Sequence, residues 1–160
     1  MRVIKGILLV FMLPVFSVLS YAQKGTEPQI RQAVESKQYV FLAERLHPQS
    51  GMSRVLTQGY DLTISADKVV AYLPYYGRVY TPMLNSDGGI KFTSSDFEYS
   101  KTAVKDGWEI SIRPKDVPLV SRMQMTVFDN GTANLYITSN NRESVSYSGK
   151  IKSTQGKRGF

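Results

Sequence analysis

Met123-Gln124-Met125-Thr126-Val127-Phe128-Asp129-Asn130-Gly131-Thr132-Ala133-Asn134-Leu135-Tyr136-Ile137 is the stretch that decides the fold. Apolar side chains come at every second position through Met123, Met125 and Val127, and again through Ala133, Leu135 and Ile137. A period of two puts one set of side chains on one face of an extended strand, whereas a helix face needs spacings of three and four. Asp129-Asn130-Gly131 between the runs is turn chemistry, so the whole stretch predicts an antiparallel hairpin.

The same pattern holds toward both ends. Upstream, Tyr39, Phe41 and Ala43 alternate with Val40, Leu42 and Leu46, and His47-Pro48 ends that strand. Val55 with Tyr60, Leu62 and Ile64 forms the next, and Ala66-Asp67 turns it into Val69, Ala71 and Leu73. The loop Asn85-Ser86-Asp87-Gly88-Gly89 leads to Ile90 and Phe92, followed by Phe97 and Tyr99. Asp106-Gly107, between Val104 and Trp108, is the strongest local hairpin signal. After the Met123–Ile137 pair, Asn140-Asn141-Arg142 leads to Val145, Tyr147 and Ile151. These are about nine strands with short connections, hence antiparallel, since parallel pairs need crossovers of a dozen residues or more. Such strands must close on themselves or fold into two layers, because a flat open sheet leaves bare edges and one wet apolar face. The expected class is mainly β: an antiparallel curled sheet or small closed barrel, lipocalin-like, with one short N-terminal helix. Thr26-Glu27-Pro28-Gln29 is a capping box, and Ile30, Ala33 and Val34 share one face, so that helix ends near Lys37.

Residues 1–22 read as a signal peptide. Arg2 and Lys5 form its basic end, Ile7 to Val18 its apolar run, and Ser20-Tyr21-Ala22 a small-x-small site with cleavage after Ala22. The apolar run is too short for a bilayer span and contains Pro14. The mature chain is expected in the periplasm or outside the cell, with a helix over 23–37, a β domain over 38–151 and a basic flexible tail over 152–160. An outer-membrane barrel would explain the alternation and the terminal Phe160. It is disfavoured because Arg158, Gly156, Thr154 and Lys152, stepping back by twos, are not apolar.

The 160 residues carry 20 Lys and Arg against 13 Asp and Glu. Lys150, Lys152, Lys157 and Arg158 lie together at the C-terminus without an acid, so the body before them is almost neutral. A neutral body with a basic tail is no nucleic-acid groove, and the tail offers at most weak contact with anionic surfaces. With no cysteine, disulfides, thiolate metal sites, cysteine nucleophiles and lipoprotein acylation are excluded. His47 is the one histidine, so His-based zinc sites and Ser-His-Asp catalysis lack a partner. Gly88-Gly89 lacks the Lys and following helix of a phosphate loop, and no cofactor is implied. Asp96 and Glu98, with Asp87 nearby, are a conceivable carboxylate pair or calcium site, but alternate acids on a strand are usually its wet face. Asn130-Gly131-Thr132 matches a glycosylation pattern and is better explained by the hairpin.

Tyr72-Leu73-Pro74-Tyr75-Tyr76-Gly77-Arg78-Val79-Tyr80 is the stretch most suited to a ligand. Four tyrosines and an arginine offer flat rings, hydroxyls and a guanidinium fork to a sugar or another flat ligand. Tyr72, Tyr75, Tyr76, Arg78 and Tyr80, with Trp108, are the candidate ligand-binding residues. The same residues suit a sheet corner, with Pro74 unable to donate to a ladder and Gly77 at a turn.

Several stretches resemble secreted Bacteroidetes proteins catalogued as domain of unknown function 4251. These are Gly51-Met52-Ser53, Leu56-Thr57 and Tyr60-Asp61-Leu62, Leu73-Pro74-Tyr75-Tyr76-Gly77-Arg78, Gly88-Gly89-Ile90-Lys91-Phe92, Val127 to Ala133, Ser139 to Arg142, and Tyr147-Ser148-Gly149. The pattern departs at Val79, where a smaller residue is expected. The resemblance implies a signal peptide, a β-rich domain and a bacterial envelope setting, and brings no catalytic residues. Residues and resemblance together give the expectation of an exported, non-enzymatic β domain that binds a small apolar or glycan-like ligand or a protein partner. The alternatives are an assembly module that adds an edge strand to a partner, and a hydrolase built on Asp96 and Glu98.

Overall fold

Ten strands follow one helix in the computed structural model, which describes residues 26–81 and 88–154, without the side chain of Thr26. The leader, the Thr26 cap, Asn85–Asp87 and the end of the tail lie outside the described residues. Helix α1 spans Thr26–Glu35. The first five strands are β1 (Tyr39–Pro48), β2 (Arg54–Val55), β3 (Asp61–Ile64), β4 (Val69–Leu73) and β5 (Ile90–Ser94). The second five are β6 (Phe97–Val104), β7 (Gly107–Pro114), β8 (Val120–Phe128), β9 (Thr132–Ser139) and β10 (Val145–Ser153). All pairings are antiparallel, in the order β5-β4-β3-β1-β10-β9-β8-β7-β6, with β2 added on β1. The result is a mainly β, nearly closed, barrel-like sheet with one helix.

Two meanders thus meet at a single junction, β1 against β10. Pairing there runs from Tyr39 opposite Ser153 to Pro48 opposite Val145, with a bulge between Ala43 and Arg45. Gly149 makes the close approach feasible: a Cβ on it would lie 1.9 Å from the Leu42 carbonyl oxygen. Alternation puts Tyr39, Phe41, Leu46, Ile137, Val145 and Tyr147 inside, each almost without solvent exposure. The barrel interior is therefore packed with side chains rather than hollow.

The two end strands of the sheet, β5 and β6, are consecutive in sequence but do not pair. They diverge from a corner at Ser95-Asp96 that Asp116 holds. Its carboxylate takes the Ser94 hydroxyl at 2.5 Å and the backbone N–H groups of Ser95 and Asp96 at 2.9 and 3.2 Å. These donors, the Ser94 hydroxyl first, keep the Asp116 carboxyl below its ordinary value. α1 lies beside β10, β6 and β7. Ile30, Ala33 and Val34 are buried; Glu35 pairs with Lys101, Lys37 sits 4.7 Å from the Tyr99 ring centroid, and Arg31 sits 5.3 Å from that of Trp108. The phenols of Tyr39 and Tyr99 meet at 3.2 Å, and burial pushes both pKa values up.

Three local expectations differ from this structure. The segment Val55–Ile64 is two strands, because the chain leaves β1 at its bulge: Leu56 N–H donates to the Glu44 carbonyl, Ala43 N–H to that of Tyr60, and 57–59 loop out between them. The β6–β7 turn is Lys105-Asp106, with Gly107 already paired to Val104. Glycine is needed there because a Cβ would stand 1.9 Å from the Val127 carbonyl oxygen of β8. Lys152 and Ser153, expected in the tail, pair with Val40 and Tyr39 as the end of β10.

Gly149→Ala forces β1 and β10 apart and is expected to destabilise the protein by about 1–3 kcal/mol or more in urea unfolding, with backbone as the obstacle. Asp116 gives a second prediction. Its folded carboxyl titrates below its unfolded value, so its stabilisation is present above that unfolded value and is lost as pH falls through the folded one. The melting-temperature gap between wild type and Asp116→Asn should be open at neutral pH and close on acidification.

Candidate functional site

The outer faces of β3, β4 and β5 carry the tyrosine surface. Leu62, Ala71 and Leu73 point inward, so their neighbours Asp61, Tyr72 and Lys91 share one outward row through the pairings of Asp61 with Tyr72 and Tyr72 with Lys91. Tyr60, just before β3, stacks on Tyr72 with centroids 5.8 Å apart and planes 13° apart. The Lys91 ammonium sits 4.7 Å from the Tyr72 centroid. Beyond β4 the chain turns at Pro74 and puts Tyr75 and Tyr76 beside these rings.

Tyr75 is fixed from both sides. Its hydroxyl lies 2.9 Å from the carbonyl oxygen of Arg78 and 3.1 Å from that of Glu143, to which its proton is donated. The Arg142 guanidinium covers its ring at 4.7 Å. Burial, the largest influence, raises the Tyr75 pKa, so the phenol stays a donor. Arg142 is only 3% exposed, and it also donates to the carbonyl oxygens of Gly88 and Gly89 at 3.1 and 3.3 Å and to the Asn141 side chain. A buried cation is tolerated when its N–H groups are satisfied, and here carbonyl oxygens and a ring face do so. Tyr147 donates from inside the barrel to the Pro74 carbonyl, pinning the corner from below. Segment 78–81 is then stitched to 141–143 by a Val79–Arg142 bridge and by the N–H groups of Tyr80 and Thr81, both directed at the Asn141 carbonyl. Val79 stands at the surface in that bridge, where its bulk meets solvent.

Two hollows meet at Tyr75 and Tyr76. One, of about 270 Å³, is floored by Tyr60, Tyr72, Pro74 and the Gly88-Gly89 backbone, with Lys91 at its side. The other, of about 380 Å³, lies between the corner and the 50–54 segment, with Met52 and Arg54 on its far wall. Arg54 lies over the Tyr76 ring at 4.4 Å. The arm carrying it is tied down by His47, whose Nδ1 is 2.7 Å from the Ser53 hydroxyl and whose Nε2 is 3.0 Å from that of Ser148. The sole histidine is thus a tie between strands.

Of the residues singled out in sequence, Tyr72, Tyr75 and Tyr76 come together in this cleft. Arg78 and Tyr80 are exposed just beyond it; the Arg78 backbone N–H and carbonyl are taken by Glu143, and neither side chain lines a hollow. Trp108 is elsewhere: it faces the core of β7 under Arg31, 3% exposed, because its alternation partners Ile110 and Ile112 face inward too. Tyr60, Arg54, Lys91 and Arg142 belong to the site and had no local signal, although Lys91 follows once β4–β5 register is known. Glu98 pairs with Lys115 at 3.1 Å, the Asp96 backbone is engaged at the Asp116 corner, and Asp87 is outside the described residues. Among the described residues no three His, Cys, Asp or Glu side chains gather as a metal site.

The fold and its surface define a barrel-like β domain with an open cleft of tyrosines and cations. The chain belongs to the DUF4251 family, a domain of unknown function, whose pattern matches residues 21–151. The crystal structure of a DUF4251 family protein from Bacteroides eggerthii DSM 20697 shares the fold at 16% identity and a TM-score of 0.56, over 84% of this chain and 95% of that one. No curated protein matches.

Arg142→Gln removes the guanidinium donors to the Gly88 and Gly89 carbonyls and is expected to cost about 2 kcal/mol in chemical unfolding. Tyrosine fluorescence should report loosening at the corner before global unfolding; an unchanged midpoint would refute the keystone role given to Arg142.

Proposed function

We propose that this chain is an exported, non-enzymatic binding domain of the bacterial envelope, and that it holds a small glycan-like ligand in the tyrosine cleft. The supporting observation is the convergence of Tyr60 with Tyr72, Tyr75 and Tyr76, from two segments of the chain, around two contiguous open hollows. Tyrosine rings offer apolar faces to the C–H side of a sugar and hydroxyls to its rim, and they lose little entropy on binding. A fatty ligand inside the barrel is disfavoured, since Tyr39, Phe41 and Tyr147 occupy that space. Export rests on the charge, apolar run and small-x-small site of residues 1–22.

A second reading, strand addition, draws on β6. Among the described residues that eight-residue strand pairs only with β7 and leaves its other edge unpaired.

Native mass spectrometry of protein purified from an exporting host should show a chain starting at Gln23, and screening on immobilised oligosaccharides should give binding. Tyr76→Ala, at a side chain 46% exposed, should weaken that binding about ten-fold or more with little change in melting temperature. A protein that retains Met1 would overturn export, and one that ignores every sugar and instead captures β-strand peptides at β6 would replace the cleft reading with strand addition.

A further inference from the structure

We infer that what the tyrosine cleft holds is one stretch of a linear glycan chain, and that the chain continues past Tyr60 into a third hollow on the outer face of β1 and β10. This rests on the binding function proposed above and extends its ligand. The third hollow, of about 500 Å³, is bordered by the outward side chains of Leu42 and Lys150, which are opposite each other in register, and by the loop from Val55 to Tyr60. Tyr60 borders the first hollow as well, so the two adjoin at this residue. The first hollow in turn adjoins the second at Tyr75 and Tyr76.

One excursion of the chain, residues 49–60 between β1 and β3, runs along all three hollows. Met52 and Arg54 line the second, Leu56 and Gln58 the third, and Tyr60 the first and the third. Its return path is fixed by backbone contacts. Val55 pairs with Arg45, Leu56 N–H donates to the Glu44 carbonyl, and Ala43 N–H donates to that of Tyr60. Between those anchors Gly59 turns the chain at a φ of 106°, in the left-handed region that glycine enters freely. A ligand therefore meets a wall already in place, and little ordering of the loop opposes binding.

The third hollow has the mixed lining that a sugar requires. Leu42, Val55 and Leu56 offer apolar surface to the C–H side of a ring, and Tyr60 stands at the boundary with the cleft. Thr57 and Gln58 add a hydroxyl and an amide, and the exposed Glu44–Lys150 ion pair, at 2.9 Å, adds a carboxylate and an ammonium. Sugar hydroxyls donate and accept, so they can satisfy all four, whereas a fatty chain would cover them without replacing their water. A chain that crosses Tyr60 gains these contacts within the same binding event, so affinity climbs with chain length until both hollows are filled.

The test is isothermal titration calorimetry of protein purified from an exporting host, with the disaccharide, tetrasaccharide and hexasaccharide of the cello, malto, xylo and chito series. In the series that binds, the hexasaccharide should bind at least about ten-fold tighter than the disaccharide. The double variant Thr57→Ala/Gln58→Ala, at two exposed side chains, should cut that advantage to about three-fold or less while the disaccharide affinity and the melting temperature stay as in the wild type. Lys68→Gln, on the remote β3–β4 turn, should keep the whole advantage. A hexasaccharide that binds no tighter than the disaccharide, or an advantage that survives in the double variant, overturns the third hollow as part of the site and leaves the binding function standing. No binding of any of these probes, nor of any immobilised sugar, overturns both.

Discussion

The pairing of β1 with β10 is the constraint on which the rest depends. The first half of the domain is a meander ending at β5 and the second a meander starting at β6, and their strands join only along this line. Each half alone would be a short twisted sheet with one greasy face exposed; joined, they curl until those faces meet. The junction tolerates no side chain at Gly149 and bends at the Ala43–Arg45 bulge. That bend releases the chain into the arm bearing Arg54, so the same irregularity that shapes the barrel supplies one wall of the cleft. At the far side the sheet stops short of closure, and Asp116, a carboxylate on a loop, keeps the two end strands at their corner.

Much of the fold was legible because strand alternation is a local property. β4, β8, β9 and the inner residues of β1 and β10 follow directly from apolar side chains at every second position, and α1 from its single apolar face. What escaped were features set by neighbours distant in sequence. Val55 and Ile64 look like one strand until the bulge on β1 separates them. Asp106-Gly107 has the composition of a tight turn, yet Gly107 answers to the backbone of β8. No pattern around Asp116 or Arg142 announces that one would cap a corner 20 residues upstream and the other would be buried beneath a tyrosine.

The site was legible in part for the same reason. The run from Tyr72 to Tyr80 is dense in rings, and its first three tyrosines do share the cleft. Pro74 then redirects the chain, and Arg78 and Tyr80 leave the surface their neighbours define, held instead by the 141–143 segment. Trp108 obeyed its strand's alternation and went to the core. Tyr60, Arg54 and Lys91 entered from other segments through register and through the bulge. The aromatic half of the site was therefore visible as composition, whereas its cationic half existed only as geometry.

The position of α1 sets an order of events during biosynthesis. The helix leaves the ribosome before every strand, yet Trp108, Tyr99 and β10, against which it rests, are among the later segments to be made. Until β10 has been added, the native seat of the greasy stripe of Ile30, Ala33 and Val34 is incomplete. The seat of the helix is therefore among the last parts of the domain to be completed, when β10 pairs with β1.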